Sequence, residues 1–84
     1  MKSKHAKTLR AIFTKPTLAS ITFSDIESLI VALAGEVREG EGSRVSLQSG
    51  DFLKNAHRPH PGKEARKYQV EGIRAWLEQQ GVKP

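Results

Sequence analysis

Ile26, Leu29, Ile30 and Leu33 recur at i, i+3, i+4 and i+7, one apolar stripe at helical period. Ser24 and Glu27 have the spacing of a capping box, and Phe23 stands where a hydrophobic staple would. Gly35 supplies the stop. The period then becomes two. Residues 36–39 and 44–48 read as strands joined by a turn at residues 40–43, with Val45 and Leu47 inward. Ser49-Gly50 suits a tight hairpin turn that returns the chain as a third strand over residues 51–57, where Lys54 and Asn55 dilute the alternation. From Gln69 the helical period resumes: Val70, Ile73, Trp76 and Leu77 form one face, closed by Gly81 with Val82 after it. Gly72 costs that helix roughly 1 kcal/mol against alanine and permits close packing on the sheet.

In front lies a basic segment, residues 3–14. Leu9, Ile12 and Phe13 share one helical face, Lys4, Lys7 and Arg10 lie elsewhere, and Pro16 ends the run. Residues 17–23 connect it to the capped helix. The predicted architecture is α+β, with a helix, three antiparallel strands and a helix over residues 24–81, preceded by an extra N-terminal helix at residues 3–15. Both main helices can cover one face of the small sheet, which leaves the other face open.

Composition narrows the picture. A chain of 84 residues is expected to form one domain, with a core too small for a spacious substrate cavity. The chain has no cysteine, so disulfides and thiolate zinc sites are excluded. No apolar stretch approaches membrane-spanning length, and residues 1–15 lack the apolar centre of a signal peptide, so a cytoplasmic protein is expected. The formal net charge is +5. Residues 1–24 carry five Lys/Arg and no acid, residues 25–53 are acidic on balance, and residues 54–67 set five Lys/Arg against Glu64. A local basic patch beside histidines is better evidence for phosphate contact than a diffuse excess, and the alternative reading of the same patch is an ordinary solvated basic surface.

That patch contains His57-Arg58-Pro59-His60-Pro61-Gly62-Lys63. Arg58 and His60 each precede a proline, which pushes both toward extended backbone. The prediction is a short polyproline-like strip leaving the third strand, with His57 and His60 on one side at roughly 9 Å.

In order and spacing the chain resembles the HicA family of toxin–antitoxin ribonucleases. The matching stretches are Ser24-Asp25-Ile26-Glu27-Ser28-Leu29, Gly42-Ser43, His57-Arg58-Pro59-His60-Pro61 and the helix ending at Gly81. The leader Lys7-Thr8-Leu9-Arg10-Ala11-Ile12-Phe13 is similar to that of one HicA subgroup. The resemblance implies a double-stranded-RNA-binding-domain-like α-β-β-β-α fold. It further implies metal-independent cleavage of mRNA without a cofactor, and a HicB-like antitoxin that covers the active site. One position departs: where many family members carry the catalytic histidine directly after Gly-Ser, this chain has Arg44.

Arginine stays protonated and cannot serve as a general base, but it can grip a phosphate. Metal-free RNA cleavage needs a base for the 2′-hydroxyl and an acid for the departing 5′-oxygen, and histidine suits both tasks. The catalytic candidates are therefore His57 and His60, with Arg44, Arg58, Lys63, Arg66 and Lys67 as phosphate contacts. The alternative is an RNA-binding module on the same fold that does not cut. His57 alone could be a strand-end residue bonded to backbone, and Arg44 a strand arginine paired with Glu39 or Glu41. Zinc is disfavoured, because His57, His60 and Glu64 give at most three ligands. Ser24 and Ser43 read as cap and turn, and Gly40 and Gly42 match no P-loop. The N-terminal helix could contact RNA through Lys4, Lys7 and Arg10, or pack on a second copy through Leu9, Ile12 and Phe13.

Overall fold

Side chains alternate along a strand, so burying Val45 and Leu47 commits one whole face of their strand to the interior. The computed structural model describes residues 1–84. Its elements are α1 (Ser3–Ile12), α2 (Phe23–Ala32), β1 (Glu36–Glu39), β2 (Arg44–Ser49), β3 (Phe52–His57) and α3 (Lys67–Gln79). The architecture is α+β, with the three strands forming one antiparallel sheet in the order β1-β2-β3. Val45 and Leu47 meet Phe23, Ile26, Leu29 and Ile30 of α2 and Val70, Ile73, Trp76 and Leu77 of α3 in a single apolar cluster. No helix is long and apolar enough to cross a membrane.

The strands fall where the alternation places them. Val37 pairs with Leu47 and Glu39 with Val45 across β1 and β2. Ser49 pairs with Phe52, so the central residues of the hairpin turn are Gly50 and Asp51. Gly50 has φ +57°, the conformation a type II′ turn requires at its first central position.

Four expectations need correction at the helix ends. Thr22, not Ser24, caps α2: its hydroxyl accepts from the Asp25 N–H at 3.3 Å. With the cap at Thr22 the third helical position is Asp25, so Glu27 lies beyond the capping box and its carboxylate accepts from Arg58 instead. Phe23 is the first helical residue and lies in the core, so it does not staple the helix from outside. Gly35 is not the left-handed stop either, since that conformation falls on Ala34 at φ 68°. What Gly35 provides is close approach: a Cβ there would lie 2.8 Å from Ile30 Cγ2 and 2.9 Å from the Gln48 carbonyl. The last helix begins at Lys67, two residues before its apolar stripe becomes readable.

The N-terminal helix also differs from expectation. Leu9 and Ile12 are buried in the chain's own core, so that face is not free to receive a second copy. α1 ends at Ile12, well before Pro16. The terminus is held by Arg74 of α3, a buried guanidinium. Its Nε donates to the Ile12 carbonyl at 2.8 Å, and Nη2 donates to the Thr14 carbonyl at 3.1 Å and to Thr17 Oγ1 at 3.0 Å. Thr17 in turn donates to Glu71 Oε2 at 3.0 Å, bringing a carboxylate into the network. Carbonyls at a helix C-terminus lack intrahelical donors and carry partial negative charge, so a cation suits this position.

Replacing Arg74 with alanine leaves those carbonyls without donors and is expected to lower the unfolding free energy by about 2–3 kcal/mol. Urea denaturation measures this, and a loss below about 0.5 kcal/mol would show the clamp to be dispensable.

Candidate nucleic-acid interface

The pairing that buries Val45 and Leu47 turns Arg44, Ser46 and Gln48 to the opposite face. Across β2 and β3, Arg44 is the register partner of His57 and Ser46 of Asn55. Directly paired cross-strand residues have Cβ atoms about 5 Å apart, so the guanidinium and the imidazole can engage one phosphate together. Both residues are exposed. They line a shallow groove with Gly40, Ser46 and Asn55.

His57 is held from two sides. Ser43 Oγ lies 3.3 Å from its Nδ1. With Nδ1–H donated to that hydroxyl, Nε2 keeps its lone pair and can take a proton. The main chain is fixed by Gln69, whose Nε2 donates to the His57 carbonyl at 2.7 Å. Gln69 Oε1 accepts from the Arg66 N–H at 2.9 Å, so one buried amide ties the end of β3 to the start of α3. This is half of a capping box; a guanidinium has no acceptor to supply the other half. Next to the pair, Ser46 Oγ donates to Asn55 Oδ1 at 3.1 Å, and Arg38 bonds Glu36 through Nε and Nη2.

The other predicted residues disperse. His60 is exposed in the loop after β3 and does not join the Arg44–His57 groove. The expected polyproline strip does not continue, because the chain bends at His60 and Pro61. Lys63, Arg66 and Lys67 are exposed around the approach to α3. That loop is pinned to the start of α2 by an isolated bridge between Thr22 and Glu64. Phe23 N–H donates to the Lys63 carbonyl at 3.0 Å, and Ala65 N–H donates to the Ile21 carbonyl at 2.8 Å. His57, His60 and Glu64 do not gather into a metal-binding cluster.

Arg58 has a different task from the one its sequence position implies. Its Nε donates to Glu27 Oε2 at 2.9 Å and its Nη1 to Glu39 Oε1, while its N–H donates to the Ser43 carbonyl at 2.8 Å. The hydrogen bond that Arg58 donates to Glu27, and then that to Glu39, raise the pKa of this guanidinium above its usual range. Two carboxylates neutralise the charge, so Arg58 joins β3 to α2 and β1 and is not a free phosphate contact. A broad groove of about 1000 Å³ between Met1, Val31, Val37 and Arg58 is lined also by Lys2, His5, Glu27 and Glu39, and includes neither Arg44 nor His57.

Ser43, Asn55 and Gln69 were not anticipated as parts of the site. Asn55 carried a signal, being a polar residue on a strand, but it read as dilution of the pattern. Gln69 occupies the third helical position of α3, where a Gln in a capping motif belongs; without Ser or Thr at 66 the motif is unrecognisable. No family model, curated protein or solved structure matches this chain.

Arg58→Ala is expected to lower the urea midpoint by the equivalent of about 1 kcal/mol, since the pair is partly exposed. It should weaken binding of a single-stranded oligoribonucleotide less than Arg44→Ala does. Equal weakening by the two substitutions would return Arg58 to the phosphate contacts.

Proposed function

We propose that this chain is a HicA-like endoribonuclease that holds single-stranded RNA on the open face of its sheet. The observation that carries this reading is the cross-strand pair of Arg44 and His57 on an exposed face, with Ser43 on the far nitrogen of the imidazole. The element order α2-β1-β2-β3-α3 is consistent with a double-stranded-RNA-binding-domain-like fold, with α1 added in front. A HicB-like antitoxin is the partner this reading calls for, and the open sheet face is the surface it would cover.

The chemistry follows from the two side chains. His57 Nε2 takes the 2′-hydroxyl proton as O2′ attacks phosphorus, and the bond to the 5′-oxygen breaks. The products are a 2′,3′-cyclic phosphate and a 5′-hydroxyl, the latter protonated by the imidazolium or by water. Arg44 balances the charge that builds on the phosphoryl oxygens, an electrostatic role that needs no proton transfer. Lys63, Arg66 and Lys67 extend the positive path toward the neighbouring phosphates.

A second reading rests on one observation: only one imidazole lies in the groove beside Arg44. Without a second acid or base, the same face would bind RNA and not cut it.

A purified-protein assay on end-labelled single-stranded RNA decides between them. His57→Ala is expected to slow cleavage by at least about 100-fold, the usual contribution of a positioned acid or base. His60→Ala should stay within a few-fold of the parent. Arg44→Ala should weaken binding and reduce the slope of log affinity against log salt by about 0.7, the share of one phosphate contact on a single strand. A parent that binds RNA with this salt dependence but leaves it intact would establish the second reading.

A further inference from the structure

β3 is an edge strand, and residues from its His57 end and from α3 together line a cavity of about 140 Å³. Phe23, Ala56 and Ile73 supply its apolar lining. That volume is well below the roughly 300–1,000 Å³ of sites for drug-sized ligands, and fits a single planar ring system. Tyr68 stands at its edge, 68% exposed on the first turn of α3. An aromatic ring so exposed beside an apolar cavity adds nothing to the core, yet it offers a stacking surface. The cavity's polar lining is Asn55, His57, Gln69 and Lys54, of which Lys54 is the cation. It is half-buried, lies over Gly72, and makes no ion pair or side-chain hydrogen bond. A cation left without a carboxylate beside such a cavity favours an occupant that brings acceptors.

The cavity and the phosphate groove share a wall. Asn55, Ala56 and His57 line both, the groove on the open face and the cavity on the helix side. A nucleotide whose phosphate rests at Arg44 and His57 can therefore fold its base around the end of β3. We infer that this cavity is a subsite for one unpaired RNA base, stacked on Tyr68 with Lys54 at its polar edge, and that it holds the base next to the phosphate bound by Arg44. The inference rests on the RNA reading above and adds to it a position for the base, which a paired base could not leave its helix to enter. Recognition by stacking tolerates any base.

The test compares a short fluorescent oligouridylate with its abasic counterpart by anisotropy, using the full chain. The parent should bind the oligouridylate about 10- to 100-fold more tightly than the abasic strand, the range expected from stacked bases. Tyr68→Ala should remove most of that difference and leave abasic binding unchanged, while Tyr68→Phe should keep it. The exposure of Tyr68 makes both variants compatible with folding, which thermal melting verifies. The inference is overturned if Tyr68→Ala binds the oligouridylate like the parent, or weakens both strands equally. If Arg44→Ala weakens binding and Tyr68→Ala does not, the base subsite falls and the phosphate site stands. If the parent binds neither strand, both fall.

Discussion

Burial of two side chains, Val45 and Leu47, decides where everything else on the sheet must point. Because the strand period is two, their inward position forces Arg44, Ser46 and Gln48 outward. A slip of one residue would bring the Arg44 guanidinium into the apolar cluster and expose the valine and leucine, which is costly on both counts. Core and site are consequences of the same register. The hairpin turn through Gly50 and Asp51 holds that register, which in turn sets His57 opposite Arg44.

Charged side chains divide into two groups by what faces them. Arg58 and Arg74 are embedded among oxygens, the first between Glu27 and Glu39 and the second on the end of α1. They are joints between elements distant in sequence. Arg44, Lys63, Arg66 and Lys67 are exposed and make no salt bridge. Their charge remains available to an external anion. The count of 14 Lys and Arg thus overstates the number of cations that a polyanion would meet.

Much of the fold was legible because it is written in short-range periodicity. The stripe of Ile26, Leu29, Ile30 and Leu33 and the alternation around Val45 and Leu47 announce helix and strand without knowledge of the partner. Helix ends were less legible. Thr22 and Ser24 lie two residues apart and both have a hydroxyl that can cap, and the Glu27 carboxylate that suggested Ser24 bonds instead to Arg58, 31 residues further on. The site was half legible for the same reason. The pairing of Arg44 with His57 follows once two strands are adjacent. The departure of His60 does not, because no period governs the direction of a chain after its strand ends. Arg74 reaches 62 residues back to Ile12, and such a contact leaves no mark in local pattern.

The bridge between Thr22 and Glu64 has a consequence for how a long polyanion would be met. The loop carrying Lys63 and Arg66, which leads into Lys67 at the start of α3, is stitched to the start of α2 by two backbone hydrogen bonds, so its shape is settled during folding. A ligand arriving there does not have to freeze a floppy segment, and the entropy of ordering stays out of the association step. Encounter is then governed by long-range attraction and diffusion, as between a rigid charged surface and a flexible strand.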